Sequence, residues 1–164
     1  MFYREIFSEL ERDGVRYLVA GGVAVVLHGF VRATADLDLI VDLDPGNLSR
    51  FLVLMTRRGY LPRVPVRMED FADEEKRRSW IEEKGMKVFS VFHPQRHGEL
   101  IDVFVREPFP FAQAYERRLI VEVGGCSVSV VAREDLMALK RAAGRPQDLE
   151  DLRALERPGE EGAS

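Results

Sequence analysis

The stretch that most restricts how this chain can fold is "ADLDLIVDLDPG", Ala35 to Gly46, where aspartates alternate with leucine, isoleucine and valine. Alternation is the period of a β-strand. A strand over Leu37 to Leu43 sends Leu37, Leu39, Val41 and Leu43 to one face, and Asp36, Asp38, Asp42 and Asp44 to the other. The apolar row asks for a core. The acidic row asks for solvent, a counter-charge or a divalent cation, because like charges two residues apart on a strand repel. An EF-hand loop does not fit, since the residues between the acids are large and apolar and no glycine stands at the sixth loop position.

A third acid narrows the choice. In "GELIDVFVRE", Asp102 interrupts an apolar strand. Burying a lone carboxylate costs on the order of several kcal/mol unless it is paired, hydrogen-bonded or bound to a metal. Its partner is either an arginine or, through a cation, the Asp36/Asp38 cluster. Upstream, Gly21-Gly22 sits where an apolar strand gives way to a helix. There the pair serves either a turn that needs positive φ or the close approach of an anion to a helix N-terminus. Arg32 and Thr34, just before the acidic strand, suit a phosphate, a counter-charge to the acids or a solvated loop.

Towards the end, "KRAAGRPQDLED" sets Lys140 and Arg141 in the last turn of one helix. Asp148 and Asp151 fall in the first turns of the next, and both placements suit the helix dipoles. His28 ends an apolar helix and is expected in the core or at a cap. His93 and His97 bracket a hairpin turn with no further ligand near in sequence.

The remaining pattern gives an α/β order. The spacing predicts an N-terminal helix through Phe2, Ile6, Phe7 and Leu10, a strand over 15–20, a helix over 23–28 and a helix over 48–58. Hairpins are expected from 86–92 with 99–105, and from 119–123 with 127–131 across Gly124-Gly125. Helices over 133–143 and 147–155 close the chain. Residues 62–84 are charge-rich with scattered aromatics and suggest only a loop and a short helix. Early helix crossovers followed by hairpins imply a mixed sheet flanked by helices. At 164 residues the chain is expected to form one domain over 1–156, with 157–164 a disordered tail. A net charge of −4 argues against a broadly basic nucleic-acid coat. The single cysteine excludes an internal disulfide and suits the cytoplasm, and no apolar run is long enough for a membrane span.

Together these residues resemble the nucleotidyltransferase superfamily with a DNA-polymerase-β-like palm, in its small bacterial branch of AbiEii-like and minimal nucleotidyltransferases. The resemblance runs from Tyr17 to about Leu155. It rests on Gly21-Gly22, "HGFVRATADLDL" with Asp36 and Asp38, Asp102 in "LIDVFV", and "LKRAAGRPQDLEDLRAL". It implies that Asp36, Asp38 and Asp102 are the catalytic acids and hold two Mg²⁺ ions, with Mn²⁺ able to substitute. It implies that Asp102 helps deprotonate an attacking hydroxyl. A nucleoside triphosphate would lie at Gly21, Gly22, Arg32 and Thr34, with Lys140, Arg145 and Asp148 near the nucleotide. Two positions depart from the family pattern. Val23 stands where a serine often follows the glycines, and Gln147 where a lysine is usual. Both changes weaken triphosphate contacts.

The implied activity is transfer of a nucleoside monophosphate to a hydroxyl. By analogy with toxin members of the branch, the acceptor is tRNA or another RNA and the partner a cognate antitoxin. Arg57, Arg58, Arg63, Arg67, Arg77 and Arg78 would line a groove for such a polyanion. Two other readings stay open: an acceptor hydroxyl on a protein or an antibiotic, and a nucleotide-binding regulatory or antitoxin-like module without turnover. Small-molecule versions are expected to need an added domain to enclose the acceptor, and this chain leaves little room for one.

Overall fold

The computed structural model describes residues 3–157. Phe2 and the tail from 158 lie outside the described residues. Helix α1 (Arg4–Arg12) buries Ile6, Phe7 and Leu10, as their spacing predicts. Strand β1 (Tyr17–Ala20) follows, then helix α2 (Gly21–Leu27), strand β2 (Leu37–Val41) and helix α3 (Pro45–Arg57). The glycine pair thus forms the first turn of α2 instead of preceding it. Asp44 caps α3, accepting from the Asn47 N–H at 3.3 Å, with Pro45 at the first helical position.

The segment that gave the weakest sequence signal holds a two-residue strand β3 (Leu61–Pro62), a 3₁₀ turn (Met68–Ala72) and helix α4 (Glu74–Lys84). Strands β4 (Val88–Phe92) and β5 (Leu100–Phe104) form the first expected hairpin. Helix α5 (Phe111–Glu116) was not expected. The second hairpin, β6 (Leu119–Val123) and β7 (Cys126–Val130), and helices α6 (Arg133–Ala143) and α7 (Pro146–Glu156) match their sequence signals to within a residue or two.

Among the described residues, seven strands form one sheet in the order β3-β4-β5-β2-β1-β7-β6. It is mixed: β1 runs antiparallel to β2, while β1–β7 and β2–β5 are parallel. Directly paired residues share a face, so the register sorts the sheet into two sides. Tyr17, Val19, Leu39, Val103 and Phe89 lie on one side. Phe7 of α1 stacks on Tyr17 there, and Phe71 and Trp80 stack on Phe89. Leu18, Ala20, Asp38 and Ile40 lie on the other side, with α2 and α6. Ile40 is buried although it shares parity with Asp38. The face expected to be acidic throughout is therefore covered for most of β2. The strand also stops at Val41, so Asp42 and Asp44 fall beyond it.

Candidate functional site

The parallel pairing of β2 with β5 sets Asp38 directly beside Asp102, and the β4–β5 hairpin sets Ser90 beside Asp102. Ala20 completes the row on β1. Four strands thus present Ala20, Asp38, Asp102 and Ser90 in line on one face, which a reading of each strand alone cannot show. The Ser90 hydroxyl donates to Asp102 Oδ1 at 2.5 Å.

The two carboxylates stand in a poorly solvated place with little to neutralise them. Burial pushes the Asp38 carboxyl up to about 7, and the charges of Asp102 and Asp36 push the same way against Lys140 and Arg145. Asp102 is raised as well, chiefly by burial, against the Ser90 bond and the charge of Arg63. Asp36 lies exposed just ahead of β2. Its approach is fixed by Tyr3, whose hydroxyl donates to the Ala35 carbonyl at 2.6 Å and accepts from the Leu100 N–H at 3.4 Å. One side chain at the N-cap of α1 therefore ties together the starts of both acidic strands. Among the described residues, no three acidic, histidine or cysteine side chains are already gathered as a metal-ligand set. What the donor set does show is a surplus of negative charge on hard oxygen ligands, which fits Mg²⁺.

Gly21 and Gly22 are explained by close approach. Gly21 has φ +65°, and a Cβ there would lie 2.0 Å from Asp38 Oδ2. A Cβ on Gly22 would lie 2.0 Å from an Arg32 guanidinium nitrogen and 2.7 Å from Thr34 Oγ1. The pair leaves room for the acid and for the basic loop that follows, and it brings Arg32 and Thr34 to the start of α2. Val23, the residue that departs from the family pattern, is buried in the core.

The late charged residues form a buried clamp. Lys140, only 4% exposed, lies 3.2 Å from Asp148 Oδ1 and 2.9 Å from Asp151 Oδ2. The second contact is an ion pair without hydrogen-bond alignment, which leaves Asp151 Oδ2 with no hydrogen-bond partner. Asp151 Oδ1 accepts from Arg32 Nε at 3.0 Å and from the Gln147 amide at 3.3 Å. Arg145 donates to Asp148 Oδ2 from its backbone at 3.1 Å and from Nε at 2.8 Å. Lys140 and Asp148 are thus spent on each other, while the Arg145 side chain remains 75% exposed. Asp151 joins Arg32, in the loop after α2, to the C-terminal helices. Its sequence signal, an acid three residues after Asp148 on a helix, resembled an ordinary dipole complement.

The other expected residues fall elsewhere. Asp42 pairs with Arg16 at 2.6 Å. Most of the six arginines expected to line a groove are engaged by other residues of the chain. Arg57 pairs with Glu9 and Asp13, and Arg58 with Glu5 and Glu9. Arg67 and Arg78 pair with Glu69 and Glu74, and Arg77 is buried against the Phe71 carbonyl. Among these six, Arg63 is neither ion-paired nor buried, and its charge acts on Asp102. His28 bonds the Val131 carbonyl at 2.8 Å and His93 packs edge-on against Tyr60.

A family model described as "Nucleotidyltransferase of unknown function (DUF6036)" matches residues 3–156. Among solved structures, the lincomycin-bound lincosamide antibiotic adenylyltransferase LnuA is similar over 93% of each chain, at 15% identity and TM-score 0.62. ANT(2'')-Ia in complex with adenylyl-2''-tobramycin is similar over 94% of this chain and 85% of its own, at 14% identity and TM-score 0.60. A candidate nucleotidyltransferase of Thermotoga maritima matches over 93% and 89%, at 15% identity and TM-score 0.59. At such identities the likeness is one of fold. No curated protein is significantly similar in sequence.

Proposed function

The chain belongs to the nucleotidyltransferase family DUF6036, and on that premise we propose that it moves a nucleoside monophosphate from a nucleoside triphosphate to a hydroxyl of a small molecule, releasing pyrophosphate. The observation that carries this reading is the in-register pair Asp38–Asp102, with Asp38 raised to about 7 by burial and by its acidic neighbours.

Asp36, Asp38 and Asp102 would hold the Mg²⁺ ions, which when bound neutralise the triphosphate and the charge that develops as it is cleaved. The chain supplies the rest. Gly21 and Gly22 let Asp38, Arg32 and Thr34 close on the start of α2, and Arg32 and the exposed Arg145 would face the phosphates there as cations. Lys140, Asp148 and Asp151 keep those two arginines in place. Asp102, its proton affinity raised by burial and its Oδ1 fixed by Ser90, accepts the proton of the acceptor hydroxyl. The freed oxygen forms the new bond to the α-phosphorus, the bond to the bridging oxygen breaks, and pyrophosphate carries that electron pair away.

Two observations favour a small acceptor over RNA. Of the six arginines expected to line a groove, four are in ion pairs and a fifth is buried, which supports an acceptor other than a polyanion. A lincosamide antibiotic adenylyltransferase also shares the fold over 93% of each chain. That likeness over nearly the whole of both chains supports a small acceptor, against the expectation of an added domain. To test the reading, the protein is incubated with each α-labelled triphosphate, Mg²⁺, hydroxyl-rich antibiotics including lincosamides and aminoglycosides, and total RNA. Label in a small molecule that disappears in Asp38→Asn supports the reading. Label in RNA restores the RNA acceptor, and triphosphate binding without transfer to any acceptor leaves the regulatory module.

A further inference from the structure

We propose that the free edge of β6 is a homodimer interface, at which two copies of this chain join their sheets antiparallel about a two-fold axis through Ile120.

The sheet ends differently at its two edges. β3 is only two residues long and contains Pro62, which has no N–H to donate, so that edge does not extend. β6 is five residues long, "LIVEV", with no proline or lysine to guard it. Leu119 and Ile120 are 38% and 54% exposed, and Val121 and Val123 are only half-buried. Leu119 and Val121 pair with Val130 and Val128, which are fully buried, so they belong to a core-facing row that the monomer leaves incompletely covered.

The hairpin fixes which peptide groups are free. Gly124 and Gly125, at φ +55° and +85°, form a two-residue primed turn that closes on the hydrogen-bonded pair Val123–Cys126. Pairing alternates, so Val121 and Leu119 also exchange bonds with β7, and the peptide groups of Ile120 and Glu122 point outward. No loop or helix backbone among the described residues bonds to them.

Charge then selects both the occupant and the register. A two-fold axis at Ile120 sets Ile120 opposite its own copy and Leu119 opposite Val121. It also sets Arg118 opposite Glu122 on both sides of the axis, an opposite-charge pair at each end. Moving the axis to Val121 places Glu122 against Ile120, and moving it to Glu122 sets two glutamates together. In the Ile120 register each Ile120 exchanges both its hydrogen bonds with its copy, and each Glu122 N–H reaches the other copy's Arg118 carbonyl. The Arg118 N–H is already bonded to the Tyr115 carbonyl, so it is not needed. Once both β6 edges are used, no long edge remains and assembly stops at two.

The test is sedimentation equilibrium of the full chain. The wild type is expected at twice the chain mass at micromolar concentrations. Glu122→Arg is expected to weaken association more than about tenfold, and the double variant Arg118→Glu/Glu122→Arg to restore it. The melting temperature of each variant checks its fold. Ile120→Cys in a Cys126→Ser background is expected to form a disulfide-linked dimer without reductant, because residues in a hydrogen-bonded pair are about 5.5 Å apart at Cα. A wild type that remains at the single-chain mass overturns the proposal. So does a dimer untouched by Glu122→Arg, or a double variant that is no better than the single one.

Discussion

A methyl group on residue 21 would fall 2.0 Å from the Asp38 carboxylate, at a backbone angle of +65° that L-residues rarely adopt. Gly21→Ala is therefore expected to cost about 1–3 kcal/mol of stability and to displace the acid. The loss should appear in a denaturant melt and, more steeply, in turnover. Asp38 itself gives a pH signature. Its carboxyl holds a proton more tightly in the folded chain, near 7, than in the unfolded chain, near 3.8. Across that window the folded state binds more protons, so the metal-free protein loses stability as pH rises from about 4 to about 7. Asp38→Asn should flatten that slope in melting temperatures, leaving the smaller part due to Asp102. Added Mg²⁺, which competes with the proton, should stabilise the wild type more at pH 8 than at pH 5. A third residue, Lys140, is expected to matter through folding. Lys140→Met removes the buried cation that Asp148 and Asp151 share, leaving them only Arg145 and Arg32, a loss of about 3 kcal/mol in urea unfolding.

Strands and helices place these residues in line. Ser90 on β4 steers Asp102 on β5, so Ser90→Ala is expected to lower kcat roughly tenfold with the triphosphate KM little changed, and Ser90→Thr to recover part of it. Steady-state kinetics on both variants would decide this. The elements most legible in the sequence were those with one clear period. The acidic strand, the two hairpins and the last two helices all declare themselves by alternation, by glycine turns or by Gly-Pro punctuation. Residues 62–84 did not, because α4 carries charge on nearly every side and meets the core chiefly through Trp80 and the stem of Arg77. Helix α5 was missed because six residues are too few to establish a helical repeat. The acids of the site were visible as residue types in unexpected company. Ser90, Asp151 and Tyr3 were not, since each acts on a residue distant in sequence and only the register brings them together.

At the scale of the whole molecule, the sheet order determines the site. Parallel pairing of β2 with β5 cannot be read from either strand, yet it converts two isolated carboxylates into a pair. The same architecture leaves Arg57 and Arg58 committed to acids of α1. With four of the six expected groove arginines in ion pairs and a fifth buried, a small hydroxyl compound is the acceptor proposed. The most direct measurement is transfer of label from an α-labelled nucleoside triphosphate to such acceptors in the presence of Mg²⁺, comparing wild type with Asp38→Asn and Asp102→Asn. The expected result is a labelled small-molecule product with stoichiometric pyrophosphate, reduced at least about 10²–10³-fold in each variant. Transfer that persists in both variants, or triphosphate binding with no transfer to any acceptor, would contradict it.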